Sequence, residues 1–281
     1  MGPTAGMPWK YTDEYYRKYT RQTWDESAEA YVGLLRNLEP FRSDLVADLA
    51  PQAGERVLDL GTGPGEPAMT IASLVGPGGH VTGVDLSEKM VAIAQRVAGA
   101  RGLANVDFRP MDCTSLRLPD GYFHAAVSSF GFQIFTDPES AAKEARRVLL
   151  PGGRISASVW STGDRVPFLH AIVGPMLEHA EPDETGYLPT PYETGGPGEL
   201  AHFLESVGFR GARERRVEHR LQFRDADEYL RVLLNATPIG HSLREEPESV
   251  QESVLRENLR RWTSPSGIAI PGEVAIVTAR S

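Results

Sequence analysis

Residues 56–65 read Arg56-Val-Leu-Asp-Leu-Gly-Thr-Gly-Pro-Gly65 (RVLDLGTGPG). Val57, Leu58 and Leu60 form a short apolar run suited to a central strand buried on both faces. The run breaks into glycines at alternate positions, Gly61, Gly63 and Gly65. Without a Cβ the backbone turns sharply there and a ligand can approach it closely. Glu66 to Val75 (EPAMTIASLV) then reads as a helix whose N-terminus faces the occupant of the turn. Strand, glycine turn and helix start together predict a site for a nucleotide-like ligand.

The details bear on which ligand. A dinucleotide fingerprint wants glycine at its first, third and sixth places, and the sixth place here is Glu66. A carboxylate beside a pyrophosphate is repelled, and Asp59 adds a second negative charge. An acidic strand end with this turn fits a cationic sulfonium better than NAD.

A chain of 281 residues can hold one large α/β domain or one core with an added cap. Its 41% hydrophobic and 24% charged content is that of a soluble globular protein. The net charge of −9 argues against a general nucleic-acid or anionic-membrane binder. Cys113 is the single cysteine, which excludes an internal disulfide or a cysteine-cluster metal site, and no metal is expected. No signal-peptide pattern opens the sequence and no apolar run approaches spanning length, so a cytoplasmic protein without membrane insertion is expected.

Trp9 to Leu38 is helical in character and rich in aromatics, including Tyr15, Tyr19, Trp24 and Tyr31. It reads either as an amphipathic helix pair packed on the core or as a lid closing over a ligand. Phe41, Leu45 and Leu49 continue into a helix ending at Pro51. His80 to Leu86 is a second strand, with Asp85 placed to accept from ribose hydroxyls and Ser87 as an N-cap. Strands follow at 106–111, 123–130 and 154–160, with a helix begun by Asp137-Pro138 between the last two. Five strands separated mainly by helices make a parallel doubly wound sheet. Further on, 199–207 is a helix and 209–223 a long strand whose Arg213, Arg215, Arg216 and Arg220 read as a solvated edge. Asp225 and Glu228 form a capping box for a helix through Leu234, a second helix spans 249–262, and 273–279 is a closing strand.

These pieces, in this order, resemble the class I S-adenosylmethionine-dependent methyltransferases. VLDLGTGPG resembles their first motif, GVDLSEKM the second, RPMDCTSLRLPDGYFHAAVSSFGFQIF the third and fourth, and RRVLLPGGRISASVW the following helix, turn and strand. Within that family the segment 128–154 is similar to the branch of ubiquinone and menaquinone C-methyltransferases and related small-molecule enzymes. The resemblance implies a Rossmann-like α/β fold with a seven-stranded sheet in order 3-2-1-4-5-7-6, the last strand antiparallel. On this fold the chain divides into a helical lid over 1–50, a core over 51–160, and a remainder, 161–281, with insertions near 162–198 and 225–265 that depart from the family's minimal pattern and read as a substrate cap. S-adenosyl-L-methionine would be the cofactor and S-adenosyl-L-homocysteine the product. Asp59, Gly61, Thr62, Gly63 and Gly65 would surround the methionine part, and Asp85 the ribose. Leu86 and Met90 would lie against adenine, Asp112 would accept from its amino group, and the Cys113 backbone would pair with the ring. Ser129 and Phe130 would line the path to the acceptor, with Tyr19, Trp24 and Tyr31 on the lid. Cys113 also reads simply as a small buried hydrophobe.

The expected reaction is in-line transfer of a methyl group to carbon or oxygen of a small, apolar or ring-containing acceptor, by a monomer or homodimer. His170 and His241 are the candidate bases, though either one taken alone reads more readily as a surface or packing histidine. The rival readings are a quinone-pathway C-methyltransferase, a nicotinamide-dependent oxidoreductase, and a protein that binds the cofactor without catalysis. A member using the sulfonium only as electrostatic support is a further alternative.

Overall fold

The computed structural model describes residues 14–171, 194–236 and 259–281, with side chains from residue 21 onward. Eight strands form one sheet: β1 (Arg56–Leu60), β2 (His80–Asp85), β3 (Val106–Pro110), β4 (Phe123–Ser129), β5 (Leu149–Trp160), β6 (Arg210–Phe223), β7 (Thr263–Ser264) and β8 (Gly267–Arg280). Their order is β3-β2-β1-β4-β5-β8-β6, with the two-residue β7 paired to β8 off that path. With β7 set aside, this is the expected 3-2-1-4-5-7-6. The first five strands run parallel, and β8 is antiparallel to both β5 and β6. β1 lies between β2 and β4, so Val57 pairs with Val81 on one side and Ala125 on the other. Val57, Leu58 and Leu60 are fully buried, as a two-faced apolar run requires.

Six helices accompany the sheet among the described residues: α1 (Glu14–Leu49), α2 (Ala68–Val75), α3 (Glu88–Ala100), α4 (Pro138–Val148), α5 (Glu199–Ser206) and α6 (Ala226–Ala236). α1 corrects the expectation of separate N-terminal helices: it is continuous for 36 residues with Pro40 inside. Ala28, Leu34, Leu38, Phe41, Leu45 and Leu49 are buried along it, so one apolar stripe runs past the proline. Packing of that stripe outweighs the one hydrogen bond that proline removes. The end of α1 is held by Arg154 on β5, which donates to the carbonyls of Leu49 (2.7 Å) and Ala50 (2.9 Å) and to both carboxylate oxygens of Glu55.

Ser87 caps α3 as expected, its side chain accepting from the Met90 amide. Asp137 caps α4 by accepting from the Ser140 amide. At the start of α6, Asp225 accepts from the Glu228 amide, while Glu228 reaches one residue further out, to the Arg224 amide. β6 is the sheet edge as expected, and its Arg213, Arg215 and Arg220 are exposed, while two of its arginines are also paired. Arg215 pairs with Asp44 and Asp48 on α1, and Arg216 donates to Ser161, Glu273, Glu214 and the Gly195 carbonyl. Of the expected short helix near 168–179 only the start is described, and most of the expected helix over 249–262 lies outside the described residues. Among the described residues no helix is long and apolar enough to cross a membrane.

Candidate functional site

At the carboxyl end of β1 the chain folds across the end of β2. The amides of Gly61 and Thr62 both donate to the Val84 carbonyl, at 2.9 and 3.0 Å, and the Gly63 amide donates to Asp85 Oδ2 at 2.8 Å. The second Asp85 oxygen accepts from the Ser87 amide at 2.9 Å, which ties the turn to the start of α3. Gly65, at φ +102°, has no room for a side chain: a Cβ there would lie 2.6 Å from Met69 Cε.

Asp59 is fully buried beneath this turn. Thr62 Oγ1 donates to its Oδ2 at 2.7 Å, while Oδ1 is buried without a hydrogen-bond partner. Burial pushes Asp59 up to about 7 against the pull of the Thr62 hydroxyl and the Ala68 amide, and the Asp85 and Glu66 charges add to the rise. Burial likewise raises Asp85 to about 6, opposed by its backbone donors and reinforced by Asp25. Two acids thus share one end of the sheet, Asp85 held by backbone amides and Asp59 by the Thr62 hydroxyl with its Oδ1 unmet. Glu66, by contrast, is turned to other work. Its carboxylate accepts from the Thr70 amide and hydroxyl and pairs with Arg101 at 2.6 Å. The repulsion expected of Glu66 therefore falls mainly to Asp59 and Asp85.

The adjacent strand ends converge on the same place. Cys113 is buried, its thiol pushed well up by burial and then by Asp85, with Gly61, Asp112 and Asp59 also acting on it. Asp112 Oδ1 accepts from the Thr114 amide at 2.8 Å. Met90 is buried and Leu86 half-buried at the start of α3. α1 crosses above them: Asp25 accepts from the Ser87 hydroxyl (2.5 Å) and the Lys89 amide (3.2 Å), and Arg21 pairs with Glu88. Trp24 meets Tyr31 edge to face at 5.7 Å, and both pack on Ala28, Met90 and Ile93. Burial raises the Tyr31 phenol, with Arg42 lowering and Asp85 raising it further. The structure thus gathers the expected Trp24, Tyr31, Asp59, Gly61, Thr62, Gly63, Gly65, Asp85, Leu86, Met90, Asp112 and Cys113. The side chain of Tyr19 lies outside the described residues.

Beyond the turn, β4 ends in Ser129 and Phe130. Phe130 takes φ +61°, a left-handed conformation that costs an aromatic residue of order 1–3 kcal/mol. The twist stacks its ring on Trp160 at 4.6 Å, and Phe41 of α1 meets both rings edge to face. Phe168 closes on Trp160 at 5.6 Å. Neither Phe41 nor Trp160 was marked by a motif; Trp160 was legible only as the last residue of a strand. His170 is exposed on the helical turn that carries Phe168, and His241 lies outside the described residues.

A family model described as a methyltransferase domain matches residues 57–153. The chain is 44% identical over 128 residues to a demethylmenaquinone methyltransferase of Thermus thermophilus, covering 43% of this chain and 57% of the relative. It is 32% identical over 171 residues to an aklanonic acid methyltransferase of a Streptomyces species, covering 60% of this chain and 77% of the relative. Among solved structures, a phosphoethanolamine N-methyltransferase of Haemonchus contortus superimposes with a TM-score of 0.58 at 17% identity, over 95% of this chain and 60% of that one. The chain spans little more than half the length of the Thermus relative. Sheet order, glycine turn and these likenesses agree: the chain belongs to the S-adenosylmethionine-dependent methyltransferases of class I.

Proposed function

We propose that this protein transfers a methyl group from S-adenosyl-L-methionine to carbon or oxygen of a small ring-containing acceptor. The carrying observation is the turn that joins β1 to Asp85 with Asp59 buried beneath it, with the aromatic cluster of Phe130, Trp160, Phe41 and Phe168 packed at the ends of β4 and β5. The family's cofactor fits that turn. The unpaired Oδ1 of Asp59 calls for a cationic or donor group, and the ammonium and sulfonium of S-adenosylmethionine are cations. When bound, the cofactor supplies an electrophilic methyl carbon.

The chain's own residues do the rest. Asp85 accepts from the ribose hydroxyls through the lone pairs left free by its two backbone donors, and so stays fixed in orientation. Leu86 and Met90 pack one side of the adenine, and Asp112 with the Cys113 backbone reads its edge. Ser129 and Phe130 stand between cofactor and acceptor. The α1 segment bearing Trp24 and Tyr31 covers the adenosine end and keeps water out, anchored through Asp25 to Ser87. The apolar, aromatic composition at the ends of β4 and β5 suits a ring-containing acceptor, and in-line positioning of its nucleophilic atom would supply most of the acceleration such a reaction needs. The cytoplasm is the proposed location, and monomer or homodimer the proposed state.

Two relatives carry acceptors in their names, demethylmenaquinone and aklanonic acid, and both names denote ring systems. The test is transfer of tritium from methyl-labelled S-adenosylmethionine to a panel of hydroxynaphthoquinols and polycyclic aromatic acids, with simple amines and RNA as controls. Labelling of a ring compound is expected. Labelling of amines or RNA alone would overturn the acceptor class.

A further inference from the structure

Gln133 lies in the turn that follows β4, where the chain leaves the sheet at Phe130. The turn is tightly made. The amides of Ile134 and Phe135 both donate to the Gly131 carbonyl, at 2.9 and 3.0 Å. A Cβ on Gly131 would strike Ser128 Oγ and the Phe135 ring, so the turn packs closely on the end of β4. Phe135 in turn covers the glycine turn after β1: a Cβ on Gly61 would lie 3.1 Å from its ring. The segment bearing Gln133 is thus packed against the same glycine turn that Asp59 and Asp85 support.

Its side chain reaches β5: Gln133 Oε1 accepts from the Trp160 amide at 2.8 Å. A backbone N–H only donates, so this contact fixes which end of the carboxamide is oxygen. The oxygen has a structural task. Phe130 donates to the Ser158 carbonyl as the last rung between β4 and β5, and its φ of +61° then turns the chain away. Gln133 Oε1 supplies the acceptor that the Trp160 amide needs beyond that rung. The nitrogen has no such task. Nε2 carries two N–H groups, has no hydrogen-bond partner among the described residues, and is not sealed from solvent, since Gln133 is half-buried. Close by, Trp160 stacks on Phe130 and meets Phe41 and Phe168. One fixed donor beside an apolar cluster is how binding sites orient a ligand.

Resting on the ring-acceptor reading above, we propose that Gln133 is a specificity residue, its Nε2 donating a hydrogen bond to an oxygen on the acceptor ring. The Trp160 amide holds the carboxamide in place, so the donor is set before the acceptor arrives. One end of the side chain serves the fold and the other the acceptor. The acceptor class narrows accordingly, to rings bearing a carbonyl or hydroxyl oxygen, because a donor left unpaired by an oxygen-free ring costs affinity.

Two ligands and two variants separate this from a purely structural role. 2-Methyl-1,4-naphthoquinone carries two ring carbonyls; 2-methylnaphthalene has the same rings and methyl group without them. Each is titrated by calorimetry into the full chain saturated with S-adenosylhomocysteine, at about pH 7.5. Gln133→Glu keeps an oxygen for the Trp160 amide but, well above the ordinary glutamate value near 4.3, has no donor to offer. Gln133→Met removes both ends. Both variants are expected to weaken the quinone about 3–10-fold more than the hydrocarbon, the range of one neutral hydrogen bond. A residue that only caps Trp160 predicts otherwise: Gln133→Glu would bind the quinone as wild type does, and Gln133→Met would lose both ligands equally. Either result overturns the assignment and leaves the ring-acceptor reading standing. Should both variants fail to fold, infrared spectra of the wild-type complex decide. A carbonyl stretch of the bound quinone lowered from its position in hexane is expected, and an unshifted one overturns the assignment. Wild-type protein that bound S-adenosylhomocysteine but neither ring would instead sink the acceptor reading itself.

Discussion

Asp59 and Asp85 carry the pH behaviour of the site. Both hold their protons more tightly in the fold than in the unfolded chain, where an aspartate titrates near 3.9. The native state therefore binds more protons than the unfolded one between about pH 4 and pH 7, and ligand-free stability falls as pH rises through that window. Thermal unfolding from pH 4.5 to 8 checks this, and Asp59→Asn is expected to flatten its upper part, near Asp59's own value of about 7. A cationic ligand favours the ionised acids, so S-adenosylmethionine is expected to release protons on binding near pH 6.5. S-adenosylhomocysteine, without the sulfonium charge, should release fewer. Calorimetry in buffers of different ionisation enthalpy measures both. Asp85→Ala is expected to weaken cofactor binding by roughly 1.5–3 kcal/mol, the loss of a hydrogen bond to a charged group. The same change frees the Gly63 and Ser87 amides, so a drop in melting temperature should accompany it. Unchanged affinity would remove Asp85 from the site.

Among the elements, α1 does two jobs at its two ends. Its C-terminal end is pinned to the sheet by Arg154 and Glu55, whose side chains are 21% and 14% exposed. Burial alone would raise Glu55, but hydrogen bonds from Arg154 and Gln52 outweigh it and hold its carboxyl below the usual range. That contribution is complete above the unfolded glutamate value near 4.3 and is lost as pH falls through the lower folded value. Arg154→Ala is expected to cost about 2–3 kcal/mol in urea unfolding, somewhat less than a fully buried pair broken on one side. It should leave cofactor affinity of the folded protein nearly unchanged. The N-terminal part meets α3 through Asp25, Trp24 and Tyr31. Asp25→Ala is expected to show the opposite pattern: a loss of cofactor affinity of about 1 kcal/mol, typical of one hydrogen bond, with little effect on stability. A stability loss without an affinity loss would make this part of α1 packing and not a lid.

At the scale of the whole molecule, the site lies where the strand order reverses, between β1 and β4, and is bounded by groups from separate parts of the sequence. Saturating S-adenosylhomocysteine, at about 100 times its dissociation constant, should stabilise the fold by about 2.7 kcal/mol, roughly a 5 °C rise in melting temperature. The strand order was readable because each local signal agreed with its neighbours: an apolar run, a glycine turn, a capped helix, then the next run. The glycine turn itself was readable for the same reason, since Asp59 and Gly61 to Gly65 are neighbours in sequence, while Asp85, 22 residues on from Gly63, closes it from the next strand. The pairing of Arg215 and Arg216 on β6 was not readable because their partners, Asp44, Asp48 and Glu273, lie about 60 to 170 residues away in sequence.

The sequence by itself determined the sheet, the cradle and the class of ligand, because strand, turn and helix signals act over a few residues and do not depend on distant parts of the chain. Only the tertiary structure decided that α1 runs unbroken past Pro40, that Phe41 and Trp160 stand with Phe130, and that Gln133 reaches the Trp160 amide. Burial and pairing are properties of surfaces brought together from far apart, and a linear pattern carries no record of which surfaces meet.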